Sequence, residues 1–470
     1  MEKEQFLDKR ITLFALVWPI LIETFLRMLF GTVDTFMLSG YSDNAVAGVG
    51  AANQYVSILI LLFQIVSTGS GIIVAQNLGA KNTKKASNVV LLSIIFNAVF
   101  GFLISILMLV FSGKILGLMN FDIEVYQYSK EFLTIIGSFS FIQAISITIS
   151  AILRSYGHVK YPMYVNMGAN ALNIIGNAIF IYGLFGMPVL GVKGVAISTI
   201  SSQFIGLVVS FTIMKKKVGL SFSKAEVLNI PKSEFVDILK SIFKIGGPSA
   251  GETLSYNTAQ IVVTAIITTM GTYALTTRVY VYNLMAYIML CGLAVAQANQ
   301  IIVGHMIGAG MKEEAYKTCL RNLKLAALVS CGVAMVFAVF GKVFLGLFTD
   351  NGDIIKIGGM LFLITIVLEP GRTFNLVVGS SLKAVGDATY TMVAGFFSMW
   401  GVLVLMSYIL GIKMNLGLIG VWIAFAADEW LRGILMLIRW RSRAWEKHSV
   451  VTKEDTEVTD CEKELAHSLN

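Results

Sequence analysis

The chain is a succession of apolar runs, each near the twenty residues a helix needs to cross a bilayer, and most are separated by short polar stretches. They fall near 13–38, 45–77, 88–112, 131–152, 161–185, 190–214, 242–270, 273–306, 322–347, 357–381, 389–411 and 415–438. Backbone N–H and C=O groups in hydrocarbon must be satisfied within the segment, so runs of this kind become helices. The expected fold is an all-α polytopic membrane protein with twelve transmembrane helices. With 56% hydrophobic and only 14% charged residues in 470, an ordinary soluble core is excluded. The start MEKEQFLDKR runs straight into LFALVWPILIETFL without a small-residue cleavage site, so the first span is expected to remain.

The net charge of +8 sits mostly in the connections and speaks for topology rather than nucleic acid. With the amino terminus inside, the inner connections carry Lys81, Lys84, Lys85, Lys215, Lys216, Lys217, Lys312, Lys317 and Arg321, while the outer ones carry few cations. Both termini are then cytoplasmic in a multi-pass plasma-membrane protein. Residues 1–12 form an inner N-terminal segment, 13–214 a first lobe, 215–241 a cytoplasmic linker, 242–440 a second lobe and 441–470 an acidic, disordered tail. Cys291, Cys319, Cys331 and Cys461 lack metal or redox spacing, and His158 and His305 have no second ligand nearby in sequence. Neither a phosphate-binding GxxxxGK[ST] loop nor a nucleophile beside a base occurs, so no enzyme and no built-in ATPase is expected, and no cofactor beyond a coupling ion.

The two halves repeat each other at an offset of 229. Pro19 and Glu23 fall on Pro248 and Glu252, IIVAQNLGAKNTKKA from Ile72 on IIVGHMIGAGMKEEA from Ile301, and LRSYGHVKY from Leu153 on LKAVGDATY from Leu382. Later the offset is 226, where LGVKGV from Leu190 meets LGLIGV from Leu416. Repeats with an even number of spans enter the membrane the same way up, related by an axis along its normal, with substrate bound near the midplane between two bundles.

Several stretches resemble the multidrug and toxic compound extrusion (MATE) transporters. These are PILIETFLRMLFGTVDTFMLSG, AQNLGAKNTKKA, LRSYGHVKYP, EPGRTFNLVVGSSLKAVGD and GVWIAFAADEWLR. The resemblance extends to about Trp445. It implies two six-helix bundles in a V, and antiport of organic cations or metabolites against sodium ions or protons.

Ionisable residues inside spans are expensive and invite a functional reading. In span 1, Glu23 and Arg27 stand one turn apart, a self-neutralising spacing with Arg27 a structural counter-charge. Asp34 has no basic residue at i±3 or i±4 and must hold a proton or find a cation. The stretch NMGANALNIIGN places Asn166, Asn170, Asn173 and Asn177 on one helix face, and amide oxygens are neutral ligands for sodium. In one MATE subgroup the cation site is a first-span aspartate, a fifth-span asparagine, an aspartate four residues later and a sixth-span threonine. By resemblance these fall on Asp34, Asn173, Asn177 and Thr199, the third position being asparagine here. Asn166 and Asn170 read as interhelical hydrogen-bonding residues.

Position 263, the repeat equivalent of Asp34, is valine, so this site is not duplicated. The second half instead carries Glu252, Glu369 with Arg372, Arg278, and Asp428 with Arg432, the last a structural pair. Glu23, Gln54, Glu252, Asn283, Glu369 and Arg372 are expected to line a substrate cavity, with Tyr55, Tyr280, Tyr282 and Met285 as further wall. The expected function is secondary antiport, expelling small organic, often cationic, compounds for inward Na+ or H+, by a monomer in the bilayer with no nucleic-acid partner. The alternative is a lipid-linked oligosaccharide flippase. Its basic cleft would use Arg27, Arg278 and Arg372, and it is opposed by Asp34, Glu252 and Glu369.

Overall fold

A computed structural model describes residues 11–117, 119, 121–219 and 230–448. Most of the N-terminal segment, the middle of the 215–241 linker and the tail beyond His448 lie outside the described residues. The described residues form helices joined by short turns, with no strand among them. The first half holds α1 (Leu13–Ser39), α2 (Asp43–Gly79), α3 (Thr83–Leu116), α4 (Ile123–Ser138), α5 (Ser140–Ser155), α6 (Lys160–Tyr182) and α7 (Gly191–Val218). The second holds α8 (Lys232–Thr268), α9 (Thr272–Gly308), α10 (Lys312–Gly346), α11 (Gly352–Ala384), α12 (Ala388–Lys413) and α13 (Gly417–Arg441).

Eight of these helices are long and apolar enough to cross a membrane, and α4 with α5, bent by 54° at Phe139, makes a ninth span. The remaining three, α6, α8 and α13, fall at expected span positions but are too polar for that test. Their sequences explain it: α6 carries the asparagines, α8 carries Glu252, Ser255, Asn257 and Gln260 in its less charged half, and α13 contains Asp428, Glu429 and Arg432. Twelve spans result, as in the sequence reading.

The duplication is visible in the turns. At the end of α2, Ala80, Lys81 and Asn82 donate backbone N–H bonds to Gln76, Leu78 and Asn77. At the end of α9, Ala309, Gly310 and Met311 donate to His305, Ile307 and Met306, each 229 residues on. This is a left-handed helix cap, and its central residue has φ +59° at Lys81 and +72° at Gly310. The cap after α5, with Gly157 at φ +75°, recurs after α11 with Gly386 at +94°.

The chain packs into two compact units. The first comprises residues 22–74 and 83–246, with a core of Ala45, Leu116, Phe132, Leu133 and Val192. Within it α2 and α8 approach so closely that a Cβ on Gly69 would lie 2.3 Å from the Ile242 carbonyl oxygen, and one on Gly246 1.8 Å from that of Ile65. The second comprises, among the described residues, 11–21, 75–82 and 247–448, with a core of Val263, Ile288, Phe362 and Trp422. Here the ends of α2 and α9 cross backbone to backbone. A Cβ on Gly79 would lie 2.0 Å from the His305 oxygen, and one on Gly308 1.8 Å from the Gln76 oxygen. These contacts are repeat equivalents, since 79 + 229 = 308 and 76 + 229 = 305. Only glycine allows either.

Candidate functional site

In the first unit, α1, α6 and α7 bring Asp34, Asn173, Asn177 and Thr199 together. Gly176 makes this possible, because α6 lies so close to α7 that a Cβ there would sit 2.2 Å from Ser198 Oγ. Asn177, fully buried, donates its Nδ2 to Asp34 Oδ1 at 2.9 Å. Asp34 itself is half-buried, and among the described residues no Lys, Arg or His stands within ion-pair distance of it. Its neighbours Thr32 and Thr35 donate to their own helix, to the carbonyls of Met28 and Gly31. The carboxylate therefore has amide support but no counter-charge.

Asn173 faces the same carboxylate. Its amide nitrogen donates to both Asp34 oxygens at 3.2 Å, while its amide oxygen accepts from Thr199 Oγ1 at 3.1 Å and from the Thr199 N–H at 3.2 Å. The Thr199 hydroxyl has the Val195 carbonyl, 2.9 Å away, as an alternative acceptor. The site offers one carboxylate, amide oxygens and a hydroxyl, an all-oxygen set suited to a hard monovalent cation or a proton.

Glu23 is placed differently. Its Oε1 accepts from Arg154 Nη2 at 2.6 Å, Asn166 Nδ2 at 2.6 Å and Arg27 Nη2 at 3.1 Å. Arg27 keeps 62% of its side chain exposed, so the tight partner is Arg154, which the sequence reading did not single out. Asn166 fulfils its expected interhelical role here. In the second unit Glu252 pairs with Lys383 at 2.9 Å. These two ion pairs are the same pair twice, since 23 + 229 = 252 and 154 + 229 = 383. The signal was present in the aligned LRSYG and LKAVG stretches.

Glu369 and Arg372 are buried and bonded at 2.6 Å. Arg372 also reaches Glu429 at 3.3 Å, and Glu429 is shared with Arg432 at 3.0 Å and with Asn375 at 3.0 Å. Arg432 holds Asp428 at 2.6 Å, and Ser398 donates to Asp428 at 2.7 Å. The two pairs expected separately are thus one buried network across α11 and α13. Glu429, overlooked in the sequence, is its bridge. Arg278 donates to Gln260 at 3.1 Å and lies over the Tyr282 ring at 5.6 Å. Gln54 on α2 and Asn283 on α9 are exposed, in different units.

The MatE family model matches this chain twice, at residues 19–179 and 248–409, and the two matches begin 248 − 19 = 229 residues apart. An "Uncharacterized transporter YisQ" of Bacillus subtilis is 44% identical over 93% of this chain and 95% of its own length. A "Probable multidrug resistance protein NorM" of Thermotoga maritima is 28% identical over 97% of both. Among solved structures, a MATE crystal structure in the bent conformation superposes with TM-score 0.84 at 23% identity, over 94% of this chain and all of that one. A MOP superfamily transporter from Pyrococcus furiosus gives TM-score 0.83 at 22% identity over 92% and 95%.

Proposed function

The chain belongs to the MATE family of membrane transporters, and on that premise we propose that it is a secondary antiporter exporting small organic, often cationic, compounds in exchange for Na+ or H+. The observation that carries this reading is the half-buried Asp34, without a counter-charge among the described residues and ringed by Asn177, Asn173 and Thr199. An anion so placed binds a cation in exchange for giving up its amide partners Asn177 and Asn173. A coupling ion biases the first unit by its differential affinity for the two states, and substrate favours the other state. Gln54 and Asn283 are proposed to contact substrate through their exposed amides. Glu23 and Glu252 instead hold helix ends through Arg154 and Lys383, and the Glu369–Arg372 pair stiffens the second unit. The multidrug relatives support organic substrates, and a monomer with cytoplasmic termini is the proposed working state.

The test is efflux of a fluorescent organic cation from proteoliposomes under an imposed sodium or proton gradient. Asp34→Asn is expected to fold, because a neutral amide is cheaper to bury than an unpaired charge, and to lose ion-driven efflux. Ion-driven efflux at the wild-type rate in that variant would remove Asp34 from the coupling site. Transbilayer movement of a lipid-linked sugar phosphate, with no efflux of organic cations, would favour the flippase.

A further inference from the structure

A groove of about 610 Å³ runs along the second unit between α10, α11 and α13. Its floor on α10 is Leu320, Leu323, Ala327 and Cys331, a spacing of three and four that exposes one helix face. Phe374 of α11 forms a wall. It packs on Trp430 at 5.6 Å, and the Trp430 indole donates to the Val367 carbonyl at 2.8 Å, one turn before Pro370 inside the same helix. The groove is open along its length, with Leu328 at its edge 73% exposed.

Its polarity is confined to two residues, Lys324 and Arg441. Arg441 is the last residue of α13, beside Trp440, which is fully buried and stacks on the equally buried Trp445 at 4.4 Å. Among the described residues neither cation has an ion pair. The nearby acids are taken, Glu313 by Arg443 and Lys317, and Glu446 by Arg443. A pocket for a small drug-like molecule places a few polar groups around an apolar cavity. This one has two bare cations and nothing else polar, a pattern that matches an amphiphile with an anionic head. We propose that the groove binds an anionic phospholipid, with acyl chain along α10 and phosphate held by Lys324 and Arg441. Basic sites between helices on the inner face of a membrane recognise such head groups.

The test uses the purified full-length protein, exchanged in detergent against an equimolar mixture of phosphatidylglycerol and phosphatidylcholine and read by native mass spectrometry. The wild type is expected to retain phosphatidylglycerol preferentially. Lys324→Gln and Arg441→Gln should each lower that preference about fivefold, while Lys342→Gln, farther along α10, should not. Ala327→Trp fills the groove but keeps both cations, and should lower retention of both lipids. In a chain carrying C291S and C461S, a photoreactive maleimide on Cys331 should crosslink to lipid. Equal retention of the two lipids by the wild type, an unchanged preference in the K324Q and R441Q double variant, or crosslinks only to the protein's own tail or to a second copy would overturn the proposal.

Discussion

Asn177→Asp tests the proposed coupling site most directly, because it adds a second carboxylate beside Asp34. Asn177 is fully buried with its Nδ2 2.9 Å from Asp34 Oδ1, so the new carboxylate has no room to withdraw. The change removes a hydrogen bond to a charged group, a loss of roughly 1.5–3 kcal/mol. It also sets two negative charges about 4 Å apart, which at an effective dielectric constant near 20 repel by about 4 kcal/mol. The empty site is thereby destabilised by about 6 kcal/mol, and a cation seated between the carboxylates relieves the repulsive part. Since 1.4 kcal/mol is tenfold in affinity, sodium binding should strengthen by up to about 10³-fold. Thermal unfolding of the purified protein in NaCl against choline chloride at equal ionic strength reads this out. At pH 8 the variant should gain far more from sodium than the wild type, and at pH 6 less, because a shared proton relieves the same repulsion. A well-folded variant whose unfolding temperature ignores sodium at pH 8 would refute the reasoning, and Asn177 would revert to a packing residue.

Three further outcomes are expected. Arg154→Met leaves Glu23 with only the exposed Arg27 and the Asn166 amide, and should cost about 2 kcal/mol in unfolding measurements. That is below the 3–5 kcal/mol of a fully buried pair because Arg154 is 21% exposed; Lys383→Met should act alike on Glu252, and no loss in either variant would show the pairs to be idle. Gly308→Val, whose Cβ would meet the Gln76 oxygen at 1.8 Å, should force α2 and α9 apart, destabilising by roughly 1–3 kcal/mol, while Gly310→Val in the neighbouring turn meets no atom within 4 Å and acts through its positive φ alone. Arg372→Met should destabilise by about 3–5 kcal/mol by stranding Glu369, while Glu429 keeps Arg432 and Asn375, and adding Glu369→Gln should recover part of it in a double-mutant cycle.

The spans and their repeat were legible because both are one-dimensional: apolar length fixes the first, and a constant offset the second. The Asp34 site was legible for a related reason, since an uncompensated acid and a stripe of amides are each visible along one helix. What escaped was set by how helices rotate against one another. The local rule pairs Glu23 with Arg27 four residues on, yet its closest cationic partner is Arg154, 131 residues away. Glu429 was missed because Asp428 and Arg432 already satisfy the i, i+4 rule, although Glu429, three residues before Arg432, is what reaches Arg372. The single fourth span is a bent pair of helices, a break that no proline in the stretch announces.

Val263 has a thermodynamic consequence. It stands where the repeat would place a second Asp34, fully buried in an apolar core, and the acids of the network on α11 and α13 are already held by guanidinium groups. On the antiport proposed above, one bare carboxylate among the described residues would admit one monovalent ion per turnover. Exchange of one sodium ion or proton for a singly charged organic cation then moves no net charge, and the membrane voltage drops out of the energetics. A neutral substrate, by contrast, would draw about 2.3 kcal/mol per 100 mV, nearly a fiftyfold gain in attainable gradient. On that proposal, export of a cation should persist when the voltage is collapsed and the ion gradient kept, and export of a neutral compound should fall.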